Sequence, residues 1–220
     1  METITTEDYI KRIYEIENQS GFASTSSLAK SLDVSDASAN DMMNRLSEQR
    51  YAKYIPRKGV QLTKKGKTIA LKIVRRHRLW EMFLVQFLDY SWDEIHNEAE
   101  LLEHVTSEKM ESKLDSVLGF PKVDPHGDPI PSANGELPKT NYQLLDECNK
   151  GTSGIISRVS DKSPEVLQYL TKIGLGLKTK IHVVEKITFD GSIIVKANKQ
   201  TIPLSQKLAQ CIFIKQTKVE

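Results

Sequence analysis

Residues 77–104 read HRLWEMFLVQFLDYSWDEIHNEAELLEH and gather three of the chain's five histidines beside carboxylates at helical spacing. His77 and Glu81 stand four apart, and Glu100, Glu103 and His104 follow His96 by four, seven and eight positions. On an α-helix each set shares one face. Imidazole and carboxylate side by side can hold a divalent cation, although the same spacing also describes a solvated, ion-paired face. The donors are nitrogen and oxygen with no cysteine, which suits manganese or ferrous iron better than a thiolate zinc site. Leu79, Trp80, Phe83, Leu84 and Phe87 give the first of these helices a strongly apolar second half.

Charge changes sign abruptly at the start of this stretch. From Arg50 to Arg78 there are eleven Lys or Arg and no Asp or Glu, whereas Leu79 to Leu118 holds ten acids and two lysines. A 29-residue segment without one acid marks a polyanion-binding surface, followed directly by a cation-binding one. The net charge of +2 conceals both.

Upstream, Thr5 and Thr6 are capping residues for a first helix ending near Gln19, with Glu7 and Asp8 in its opening turn and Ile10, Ile13, Tyr14 and Ile16 as its apolar stripe. TSSLAKSLDVSDASANDMMNRLSEQRY then has the length and punctuation of a helix-turn-helix, with Ser35 capping the second helix. Its early residues Ser35, Asp36, Ser38, Asn40 and Asp41 are the candidates for DNA contact. YAKYIPRKGVQLT predicts a basic hairpin, or wing, around Pro56-Arg57-Lys58-Gly59. Arg50, Arg57 and Lys58 are the candidate phosphate contacts there. Thr63 caps a long helix to about Phe87, and helices over Asp93–Val105 and Ser107–Leu118 complete a small bundle suited to a two-fold dimer.

Residues 119–151 hold five of the eight prolines and predict a mostly irregular tether with a short helix near Tyr142–Asn149. Within it Asp124 and His126 read as a turn acid and an exposed histidine. After Gly154 the period becomes that of strands: GIISRVS, a helix capped by Ser163, KIHVVEKI, the turn Asp190-Gly191, IIVKANKQ and CIFIKQ, a small β-barrel resembling the SH3 fold. The fold class is therefore α+β, with a winged helix-turn-helix over 1–72, a helical metal-binding and dimerisation domain over 73–140, a linker over 141–152 and the SH3-like barrel over 153–220. No apolar run approaches the ~20 residues of a membrane span, and the N-terminus lacks signal-peptide character, so a cytoplasmic protein is expected. Cys148 and Cys211 lie outside any CxxC pattern and read as reduced thiols.

The winged helix, HRLWEMFL…WDEIHNEAELLEHV, DPHGDPIP and the terminal barrel together resemble the DtxR/MntR family of metal-dependent transcriptional repressors. The resemblance spans the whole chain and includes the N-terminal TTEDYI. It implies a primary, regulatory site of Asp8, Glu100, Glu103 and His104, and an ancillary site of His77, Glu81 and His96, with Asp124, His126 and Asp161 as further ligands. It also implies a homodimer on palindromic operator DNA that represses metal-uptake and homeostasis genes, with no enzymatic activity and an FeoA-like terminal domain. Iron-type relatives carry methionine and cysteine where this chain has Asp8 and Glu100. Oxygen in place of sulfur points to Mn(2+) as the activating ion, with Fe(2+) the alternative. Short manganese regulators without a barrel have a further Glu where this chain has Lys11, so their paired-ion site is not implied here. A metal-independent winged-helix regulator and a metallohydrolase are the competing classes; the DNA-binding half speaks against the second.

Overall fold

The structure, a computed structural model, describes residues 3–161 and 163–217, which fall into two compact units. The first comprises Met1–Trp80, Ala99–Phe120 and Ile130–Pro138; the second Glu81–Glu98, Pro121–Pro129 and Lys139–Glu220.

In the first unit, α1 (Ile4–Ser20), α2 (Thr25–Leu32) and α3 (Asp36–Glu48) precede the hairpin β1 (Ala52–Ile55) and β2 (Gly59–Leu62). α1 begins one turn earlier than its sequence predicts: Thr3, in extended conformation, accepts the Thr6 amide, while Thr6 itself is buried. Ser24 and Ser35 cap α2 and α3 in the same way. Ile10, Ile13, Leu28, Met43, Leu46 and Val60 are buried in one core, each stabilising by roughly 1.5–3 kcal/mol. The wing is fastened to that core. Ala23 and Val60 exchange backbone hydrogen bonds of 2.9 Å, and a Cβ at Gly59 would lie 2.0 Å from the Ala23 oxygen, so only glycine lets the two backbones approach.

Thr63 caps α4 (Lys64–Leu88) by accepting the Gly66 amide. α4 belongs to the first unit as far as Trp80, α5 (Ile95–Glu103) belongs to it from Ala99, and α6 (Glu108–Val117) lies wholly within it. The buried Arg75 guanidinium joins three segments there, donating to Glu111 at 2.8 Å, Asp115 at 2.6 Å and the Pro131 carbonyl at 2.8 Å.

The second unit is built on one antiparallel sheet of six strands, β3 (Gln143–Leu144), β4 (Ser153–Val159), β5 (Lys180–Lys186), β6 (Ile193–Ala197), β7 (Gln200–Leu204) and β8 (Ile212–Gln216), in the order β3-β8-β4-β5-β6-β7. α7 (Pro164–Lys172) and the short α8 (Gln206–Ala209) complete it. Three sequence expectations change here. The helix foreseen near Tyr142–Asn149 is an edge strand and a 3-10 turn, Leu145–Glu147, so part of 141–152 is sheet rather than linker; Leu145 and Cys148 are buried in its core. IIVKANKQ is two strands, because Asn198 and Lys199 turn at φ 49° and 66°. The proline-rich residues 121–129 are ordered rather than an irregular tether: Asp124 Oδ1 accepts the His126 and Asp128 amides, and the Val159 amide donates to the His126 carbonyl at 2.8 Å. Among the described residues no helix is long and apolar enough to cross a membrane.

Candidate metal centres

Each unit carries its own cluster of histidines and carboxylates. In the first, α1 contributes Glu7, Asp8 and Lys11, α4 contributes His77, and α5 with the residue after it contributes Glu100, Glu103 and His104. Glu103 is the hub and is 0% exposed. His104 Nδ1 donates to Glu7 Oε2 at 2.8 Å. Its other ring nitrogen, Nε2, is buried without a hydrogen bond, although Asp8 Oδ1 lies at 2.8 Å and Glu103 Oε1 at 3.4 Å.

That is the donor arrangement of a metal ligand: a histidine anchored through one nitrogen by a carboxylate, its other nitrogen facing two oxygens. Asp8, Glu103 and His104 therefore fit a divalent cation, and Glu7 holds the imidazole in place. Glu100, read from spacing as a fourth ligand, instead directs Oε2 to the Lys11 ammonium at 2.5 Å. His77, read with Glu81 and His96, places Nδ1 2.6 Å from Glu103 Oε2 and 3.2 Å from Lys11 Nζ. Neither Glu7 nor Lys11 was singled out as part of the site by spacing.

Electrostatics follow from this crowding. The Glu7 hydrogen bond, reinforced by the charges of Glu103 and Asp8, raises the His104 pKa above its ordinary value against the opposing effect of burial. Burial raises the Asp8 carboxyl, with His104 opposing and Glu100 and Glu103 adding to the rise. Burial alone would lower Lys11, but Glu103 and Glu100 more than offset it and its pKa is raised.

A pKa raised on folding contributes stability below the unfolded value and loses it as pH climbs through the folded one. For His104 that loss lies above about pH 6.5, and Asp8 acts in the same direction from its lower starting value. Metal-stripped protein is therefore expected to melt at a lower temperature at pH 8.5 than at pH 6, by more than a His104→Gln variant does. Equal slopes for the two would remove His104 from this role.

The second unit brings Glu81, Asp124 and His126 together, all buried, with one donor atom from each within 4.8 Å of the others. Glu81, His96 and Asp161 form an overlapping group by the same measure. His126, expected to be exposed, is 0% exposed. Its Nε2 lies 2.7 Å from the Trp92 carbonyl, which can only accept, so the proton sits on Nε2 and Nδ1 carries the lone pair. Nδ1 has no hydrogen-bond partner and lies 3.9 Å from Glu81 Oε1. A lone pair facing a buried carboxylate fits a cation between them. Trp92 stacks on His126 with ring centroids 5.9 Å apart, and its indole N–H donates to Thr171 of α7 at 3.0 Å.

The DNA candidates Asp36, Asn40, Asp41, Arg50, Arg57 and Lys58 are exposed, the first three on α3. Ser35 and Ser38 are exposed as well, but their hydroxyls bond to each other at 2.9 Å in the cap of α3.

Three family models match in order along the chain: "Iron dependent repressor, N-terminal DNA binding domain" over residues 1–60, "Iron dependent repressor, metal binding and dimerisation domain" over 63–132, and the FeoA domain over 143–216. The chain is 35% identical to the iron-dependent repressor IdeR of Mycobacterium tuberculosis over 127 residues, which are 58% of this chain and 55% of that protein's length. Among solved structures, it resembles a manganese-dependent transcriptional repressor in complex with manganese, at 38% identity and a TM-score of 0.89, covering 96% of this chain and 100% of that one. It also resembles ScaR with bound Zn2+, at 33% identity and a TM-score of 0.81, covering 96% and 99%.

Proposed function

The chain belongs to the DtxR/IdeR family of metal-dependent, DNA-binding transcriptional repressors, and on that footing we propose that it is a homodimeric, manganese-activated repressor of metal-uptake genes acting on palindromic operators. The observation that carries the choice of ion is the donor set. Asp8, Glu103 and His104 in one unit, and Glu81, Asp124 and His126 in the other, offer oxygen and imidazole nitrogen with no sulfur. Hard donors of this kind favour manganese among the divalent ions that such a regulator meets, with selectivity resting on geometry and coordination number.

Bound at the first cluster, the cation supplies positive charge between α1 and the end of α5. Asp8 rides on α1, which packs against α2, α3 and β2, whereas Glu103 and His104 belong to the dimerisation half. In the metal-free chain the carboxylates of the two parts repel one another wherever Lys11 does not lie between them. A cation reverses that repulsion and ties the recognition helix to the dimer. Leu101 and Val105 of this half, each 71% exposed, with Val117 and Phe120, supply apolar surface for the two-fold contact. Two recognition helices held about 34 Å apart, or a multiple of it, meet successive major grooves. A preference of about 5 kcal/mol for the competent arrangement makes the switch nearly complete.

The test is selection of duplexes from a random pool by metal-stripped protein alone, with manganese, and with ferrous iron under anaerobic conditions. Palindromic enrichment with manganese only is the expected result. Enrichment with iron and not manganese would reassign the ion, and equal enrichment without metal would end the metal-sensing reading.

A further inference from the structure

Lys11 sits in the first unit's cluster as a metal ion would. Its buried ammonium lies 2.5 Å from Glu100 Oε2, 2.9 and 2.7 Å from the two oxygens of Glu103, and 3.2 Å from His77 Nδ1. Donor atoms from three side chains on two helices converge on this one cation, and carboxylate oxygen and imidazole nitrogen are the donors that hard and borderline divalent ions select. Glu103 faces both ways, since Oε1 also lies 3.4 Å from the unbonded Nε2 of His104. One fully buried carboxylate thus stands between two cation positions, one of them filled by a side chain.

We infer that Lys11 is a tethered counter-ion occupying a second divalent-cation position formed by Glu100, Glu103 and His77, and that it limits this cluster to one exchangeable ion. The inference rests on the reading of Asp8, Glu103 and His104 as a metal site. A covalently attached ammonium loses no translational freedom when it binds, so it holds its place at any metal concentration, whereas a free ion must be recruited from solution. Its positive charge also repels a second ion a few ångströms away. The cluster therefore reports the binding of a single cation and is balanced when that cation is absent. Removing the ammonium leaves two or more carboxylates and an imidazole aimed at an unfilled position, which a second manganese then takes.

The experiment counts manganese per chain by equilibrium dialysis, with low-temperature electron paramagnetic resonance on the same samples, for wild type, Asp8→Ala, Lys11→Ala and Lys11→Glu. Both Lys11 variants are expected to bind one more ion than wild type and to show the exchange-coupled signal of a carboxylate-bridged pair. Asp8→Ala is expected to bind one fewer. If the Lys11 variants match wild type while Asp8→Ala binds one fewer, the counter-ion role falls and the metal site stands. If Asp8→Ala matches wild type, the metal site falls and takes the inference with it. Lys11 variants that do not fold without metal are refolded in manganese and counted there. Failure of both to fold in manganese also overturns the inference, because an ion able to replace the ammonium would restore the charge.

Discussion

Replacing Glu103 with glutamine is expected to abolish manganese-dependent operator binding and to lower manganese affinity at the first cluster by more than ~100-fold, beyond the 10–100-fold typical of losing an outer partner of a ligand. Glu103 holds three neighbours at once: both oxygens accept from Lys11, Oε2 lies 2.6 Å from His77, and Oε1 faces His104. The amide keeps the shape and removes the charge. Lys11, almost entirely buried, is then left with Glu100 as its one carboxylate in the cluster, and breaking a buried pair on one side costs about 3–5 kcal/mol. The measurement is anisotropy of a labelled operator titrated with manganese, alongside circular dichroism to verify the fold. Full manganese response in a folded Glu103→Gln protein would remove the residue from the site.

The second large effect is expected at Gly127. Its φ is +90°, and a Cβ there would stand 2.1 Å from the Ser157 oxygen and 2.8 Å from the Arg158 Cα, both backbone atoms of β4. Neither can withdraw without breaking the sheet. Gly127→Ala should therefore push residues 121–129 away from β4, at a cost of about 3–5 kcal/mol. For a chain of this size that is a fall of roughly 10 °C in melting temperature. Because Gly127 follows His126 directly and Asp124 caps the same turn, the variant should also lose the second unit's manganese while the first cluster keeps its own. An unchanged melting temperature would show that the strand and the segment separate freely, contrary to the packing described.

The helix-turn-helix, wing and long α4 were legible because local chemistry dictates them. Ser35 and Thr63 are cap residues wherever they precede a helical stripe, and Pro56-Arg57-Lys58-Gly59 between two apolar runs closes a hairpin. Glu103 and His104 were legible from helical spacing, and resemblance added Asp8. Lys11 and Glu7 were not. Each lies on a helix whose neighbours Ile10 and Ile13 face the core, and only the approach of α5, more than 80 residues away in sequence, turns an ordinary surface lysine and first-turn acid into cluster members. Their signal was weak but present: both fall on the buried side of α1, where a charged residue requires a partner. Asp124 and His126 escaped for a related reason. Proline and glycine suggest looseness, yet the turn closed by Asp124 uses their fixed geometry to bury a histidine. The turn at Asn198–Lys199 lacked the Asn-Gly signature, so two strands read as one.

The two tryptophans fall one to each unit. Trp80 donates its indole N–H to Thr106 at 2.6 Å in the first, and Trp92 stacks on His126 in the second. The protein thus carries a separate native fluorophore for each half. Manganese is paramagnetic and quenches nearby indole emission, so Trp80→Phe and Trp92→Phe chains, read one against the other, resolve in real time the order in which the two halves load.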